Sequence, residues 1–210
     1  MGIQEPSSRG IVGASFLSSI ATGRPAAPPA HWLVWLCLSR CALSLIFTGY
    51  AGVMPLVREE WGISAAKAAT VQSAWHVGYL VSLFVVGMLA DRYGARRIYL
   101  GASVCAAGAA CGFAWFTRGY VSALLLYGLA GLCSGGSYTP GLALIYQRTD
   151  PGTRGLAMGW FLAASSLGYA VALGGLAILS AFASWRVGLQ FTAAAAVLGV
   201  GLGWIALRGM

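Results

Sequence analysis

Apolar residues run through this chain in six long blocks, at about 32–57, 66–90, 97–117, 120–147, 156–182 and 187–207, with short polar clusters between them. A bilayer core about 30 Å thick asks for about 20 apolar residues per crossing helix, and each block meets that length. The pattern predicts an all-α integral membrane fold with six transmembrane helices over residues 31–210. Residues 1–30 differ in kind: Pro6, Pro25, Pro28 and Pro29 stand among Ser, Gly and Ala. They predict an unstructured cytoplasmic tail. The competing reading of Ile11 to Thr22 as a signal peptide is weakened by its Ser and Gly content and by the lack of a basic segment before it.

Four of the blocks carry polar positions at helical spacing. In the first, Cys37, Arg40, Ser44, Phe47, Thr48, Ala51 and Pro55 share one stripe, with Arg40 about 12 Å deep at 1.5 Å per residue. The second places Gln72, His76, Tyr79 and Leu83 on one face, and the fourth aligns Tyr127, Gly131, Ser134, Tyr138 and Leu142. The fifth offers Ser165, Ser166 and Tyr169. Such stripes suit a water-accessible cavity. Each also has a plainer reading. Arg40 can snorkel to the cytoplasmic headgroups, His76 can bond a neighbouring helix, and Tyr127 and Tyr138 can be packing residues with satisfied hydroxyls.

Composition agrees with the pattern. Hydrophobic residues make up 59% and charged residues 9%, against roughly 25% charged in soluble domains. The net charge of +8 is therefore no nucleic-acid signature, since no soluble basic face exists to carry it. With the N-terminus inside, the cytoplasmic set is Arg9, Arg24, Arg92, Arg96, Arg97, Arg148, Arg154 and Arg208, and the outer set is Arg58, Lys67, Arg118 and Arg186. That asymmetry predicts cytoplasmic N- and C-termini. The first outer loop is expected over 58–63, with Ser64 as N-cap of the second helix. The five cysteines fall inside the blocks with no C-x-x-C, which fits small apolar residues. Glycines in blocks three, four and six suit close helix packing, and Pro140 predicts a kink. Enzyme chemistry finds no footing: His31 and His76 form no H-E-x-x-H, and neither G-x-S-x-G nor a P-loop occurs. No cofactor or metal is called for.

Between the second and third blocks, residues 87 to 97 read Gly-Met-Leu-Ala-Asp-Arg-Tyr-Gly-Ala-Arg-Arg. Gly87, Leu89, Ala90, Asp91, Arg92, Gly94 and Arg96 match the G-x-L-A-D-R-x-G-R-R loop between helices 2 and 3 of the major facilitator superfamily, with Ala95 in place of a usual basic residue. Arg154-Gly155-Leu156-Ala157-Met158-Gly159 resembles the family's R-G-x-A-x-G at the start of helix 5, and Trp185-Arg186 resembles its W-R pair at helix 6. The chain departs from the pattern at Tyr127, four residues before Gly131, where the family often has Arg. It also lacks the helix 5 proline of the antiporter branches.

The resemblance, over roughly 32–207, implies the N-terminal six-helix half of a twelve-helix secondary transporter in the cell inner membrane. Such a protein holds its substrate between two halves near the midplane. Helices 1, 2, 4 and 5 of the family line that cavity or its gates. Gly87, Asp91, Arg92, Gly94, Arg96 and Arg97 then form a conformational-switch loop, whose acid in the family lies against the other half; the alternative is that Asp91 only offsets its arginines. The expected partners are the bilayer, a small-molecule substrate, and a missing second half or a second copy of the chain. A truncated product, a dimerising half-transporter and an inert remnant remain open, as does a non-transporting membrane protein that binds a partner. Arg40 is the one charged residue deep within a block, Lys67 and Arg97 standing at block ends, and no block holds Asp or Glu. A guanidinium among hydroxyls grips a carboxylate with two parallel bonds. A small organic anion is therefore the expected substrate, with Arg40, Ser44, His76, Tyr79, Tyr138 and Ser165 as candidate contacts. The lack of an intramembrane carboxylate leaves His76, the other half or uncoupled exchange to account for coupling.

Overall fold

Six helices, each long and apolar enough to cross a membrane, make up the computed structural model, which describes residues 31–208. The tail expected over 1–30 lies outside the described residues. In chain order the helices are α1 (His31–Trp61), α2 (Ala65–Tyr93), α3 (Ala95–Phe116), α4 (Tyr120–Ser134), α5 (Thr139–Arg148), α6 (Pro151–Phe182) and α7 (Trp185–Leu207). The fourth crossing is α4 and α5 joined by a 3-10 turn at Gly135–Ser137. Connections between crossings are a few residues or fewer, so successive helices run antiparallel.

Several segments expected as loop are helix. The apolar pattern ends where the hydrocarbon ends, but the backbone bonds of a helix continue through the headgroups. Thus Arg58, Glu59, Glu60 and Trp61 form the last turn of α1, and only Gly62, Ile63 and Ser64 connect it to α2. Ser64 caps α2 as expected, its hydroxyl accepting from the Lys67 amide at 3.2 Å. Residues 87–93 likewise continue α2, and the connection to α3 shrinks to Gly94 at φ +90°. Few side chains tolerate that backbone angle.

α1 packs against α6 and α7, α2 against α4, and α3 against both α4 and α7. Exchanging the first three crossings with the last three leaves this pattern unchanged: the α1–α6 pair maps onto the α4–α2 pair. Because the exchanged helices run in opposite directions, the relation is that of an inverted repeat. The two equivalent crossings are tight in the same way. A Cβ at Gly131 of α4 would overlap the Trp75 carbonyl of α2, and one at Gly168 of α6 would overlap the Cys41 carbonyl of α1. α2 and α6 bury only 17% and 22% of their most apolar stretches, against 39–56% for the other crossings. These two helices flank the side on which the bundle is most open.

Candidate functional site

The break in the fourth crossing builds the site. Gly135 and Gly136 weaken helix continuity, and Pro140 lacks the amide that would extend the ladder. The chain answers with a 3-10 turn, closed by the Tyr138 amide donating to the Gly135 carbonyl at 3.2 Å. Gly136 lies against Ala102 of α3, where a Cβ would overlap. The turn therefore sits deep, and Ser137 and Tyr138 are rotated off the stripe that a straight helix would give.

Arg40 of α1 points into this turn and is 6% exposed. Its Nε donates to Ser165 Oγ of α6 at 2.7 Å and its Nη1 to Ser137 Oγ at 2.8 Å. The guanidinium lies 5.2 Å from the Tyr138 ring and 5.8 Å from the Phe161 ring. Tyr79 of α2 lies close enough to Arg40, Tyr138 and Tyr169 for their charges and dipoles to interact. The side chain runs inward, not along the helix to the headgroups. Among the described residues no carboxylate meets it; the one ion pair there joins Arg186 to Glu60 at 3.0 Å on the opposite side of the membrane.

Four of the six candidate contacts thus converge: Arg40, Tyr79, Tyr138 and Ser165. Ser44 does not join them, since its hydroxyl is spent on the Arg40 carbonyl of its own helix at 2.6 Å, the back-bond common for serine in a helix. His76 sits farther along the open face, exposed, with Nδ1 2.8 Å from the Gln72 carbonyl. A carbonyl only accepts, so Nδ1 donates in this bond and Nε2 is left facing away from it. Its ring contacts Phe47 at 5.5 Å and Trp75 at 5.3 Å. Tyr127 is a packing residue, 1% exposed, its hydroxyl donating within bonding distance of the Ile46 and Phe47 carbonyls.

Sequence reasoning missed Ser137 as a contact because helical spacing was carried through the break; the Gly-Gly and the proline around it are the signal that locates it. Phe161, one turn before Ser165, also went unmarked. At the cytoplasmic end, Asp91 is exposed and makes no ion pair among the described residues. Arg92 lies 5.4 Å from the Tyr93 ring, Gly87 lies on α2 and Gly94 forms the turn. Arg96 and Arg97 line a hollow of about 490 Å³ with Tyr93, Gly94 and Leu100.

Six apolar crossings with a charged, hydroxyl-lined site at depth define a multi-pass integral membrane protein. The chain belongs to the Major Facilitator Superfamily, whose family profile matches residues 36–209. Over 160 residues it is 30% identical to the probable 4-methylmuconolactone transporter of Cupriavidus pinatubonensis (strain JMP 134 / LMG 1197), covering 73% of this chain and 37% of that protein. A gallate transporter of Pseudomonas putida is 32% identical over 71 residues, 31% of this chain and 16% of that one. Among solved structures, the peptide transporter POT in complex with sulfate superposes with a TM-score of 0.75 at 18% identity, over 87% of this chain and 39% of that one. The proton:xylose symporter XylE bound to 6-bromo-6-deoxy-D-glucose gives 0.73 at 14% identity, over 83% and 44%. These two likenesses show a shared fold. The chain spans less than half the length of each of these relatives.

Proposed function

We propose that this chain forms half of a secondary transporter that moves a small organic anion by alternating access, with Arg40 as its main charge contact. The observation that carries the reading is the Arg40 guanidinium, buried among Ser137, Ser165, Tyr79 and Tyr138 with no carboxylate to neutralise it among the described residues. A positive site in a low-dielectric setting favours an anionic guest, and a planar fork suits a carboxylate. The names of two relatives support the same class, one for gallate and one for 4-methylmuconolactone. A second six-helix half, or a second copy, closes the open side between α2 and α6. Both termini and the Asp91–Arg97 connection face the cytoplasm of the inner membrane, as the basic residues favour.

Uptake of radiolabelled gallate into membrane vesicles from producing cells tests the reading. Arg40→Ala and Arg40→Lys are each expected to lower uptake at least about tenfold, because lysine keeps the charge and loses the fork. Transport of a cation or neutral solute instead, or normal gallate uptake by Arg40→Ala, contradicts it.

A further inference from the structure

Beyond the guanidinium lies a surface of rings that the charge alone does not explain. Phe47 stands seven residues from Arg40 on the same stripe of α1, two turns or about 10 Å farther along the axis. Its ring meets Trp75 of α2 at 4.7 Å and Tyr169 of α6 at 4.8 Å. Trp75 in turn stacks on Tyr79 at 4.9 Å with the planes 14° apart. Three helices thus contribute to one aromatic surface, which Tyr79 brings close to Arg40, and the guanidinium itself lies 5.2 Å from the Tyr138 ring.

Exposure separates this surface from ordinary packing. Trp75 beneath it is buried, whereas Phe47, Tyr79, Tyr138 and Tyr169 are half-buried and keep part of their surface uncovered. A ring cluster that only holds helices together has no need of open faces. Tyrosine hydroxyls at membrane depth also need polar partners, which bare lipid tails do not supply. The half-buried rings begin beside the guanidinium, so a flat body extending from a bound carboxylate runs onto them.

We infer that the anion held at this site is a planar aromatic carboxylate, its carboxylate on Arg40 and its ring against Phe47, Tyr79 and Tyr169. This rests on the anion reading above and narrows it: flat aromatic acids are selected over saturated acids of the same size. Aromatic pairs favour stacked or edge-to-face contact beyond simple burial, by about three- to tenfold in affinity.

The test measures equilibrium binding of benzoate and cyclohexanecarboxylate to the full chain in lipid nanodiscs. Benzoate is expected to bind about three- to tenfold more tightly, and Phe47→Leu, which keeps apolar volume, to bring the ratio toward one. The comparison in the unsubstituted chain stands even if Phe47→Leu fails to fold. Equal binding of both acids, lost in Arg40→Gln, overturns the aromatic inference and leaves the anion reading intact. A benzoate preference that survives in folded Phe47→Leu overturns the placement of the ring. Binding of neither acid in an Arg40-dependent way overturns the anion reading and this inference with it.

Discussion

Placing a guanidinium inside a bilayer costs about 2.5–3.5 kcal/mol on insertion scales. Arg40 offsets that cost locally. Interhelical hydrogen bonds in membranes contribute about 0.6 kcal/mol on average and up to about 1.7, and Arg40 donates two to serines. Each cation–π contact adds roughly 0.5–2 kcal/mol. The polar bonds and rings together come close to balancing insertion, so the residue is held without an acid, and its net charge remains available. This makes a double-mutant cycle informative. Arg40→Ala and Ser165→Ala, measured by thermal unfolding in detergent, are expected to couple by about 1 kcal/mol; additive effects would show that the bond contributes nothing. Arg40, Tyr79, Tyr138 and Ser165 were legible in the sequence because a polar residue in an apolar block stands out. Ser137 was not, because the 3-10 turn displaces it from the helical stripe. Ser44, also named from the sequence, instead bonds its own helix, because a hydroxyl in a helix has its own backbone as a ready partner.

At the scale of elements, the six crossings were legible from apolar block length, and the capping role of Ser64 from its side chain. Helix ends were less so, since charge at 58–61 and 91–93 marks the edge of the hydrocarbon and not the edge of the helix. The inverted pairing of α1 with α6 and α4 with α2 was not legible at all, because it depends on where Gly168 and Gly131 let backbones touch. The short connection at Gly94 gives a clean test of orientation. Tyr93 is 48% exposed at the end of α2, while the neighbouring Ala95 is buried and unsuitable for labelling. With the five cysteines replaced, Tyr93→Cys is expected to react with an impermeant maleimide in inside-out vesicles and not in intact cells. Labelling in intact cells would invert the topology.

On the scale of the whole molecule, α2 and α6 are the least buried crossings, with the half-buried rings between them and Arg40 and its serines buried just beneath. A bundle built only to persist in lipid gains nothing from a cation and tyrosine hydroxyls there. A bundle that forms one wall of a wet pathway needs them. His76 is exposed there, beyond the guanidinium and next to Phe47, and so reports on whether the side is wet and occupied. The most direct measurement is the alkylation rate of His76→Cys, in an otherwise cysteine-free chain, by a water-soluble maleimide with and without gallate. The account predicts ready alkylation, slowed severalfold by gallate, with that protection absent when Arg40→Ala is added. A position that does not react from water, or gallate protection that persists without Arg40, would contradict it.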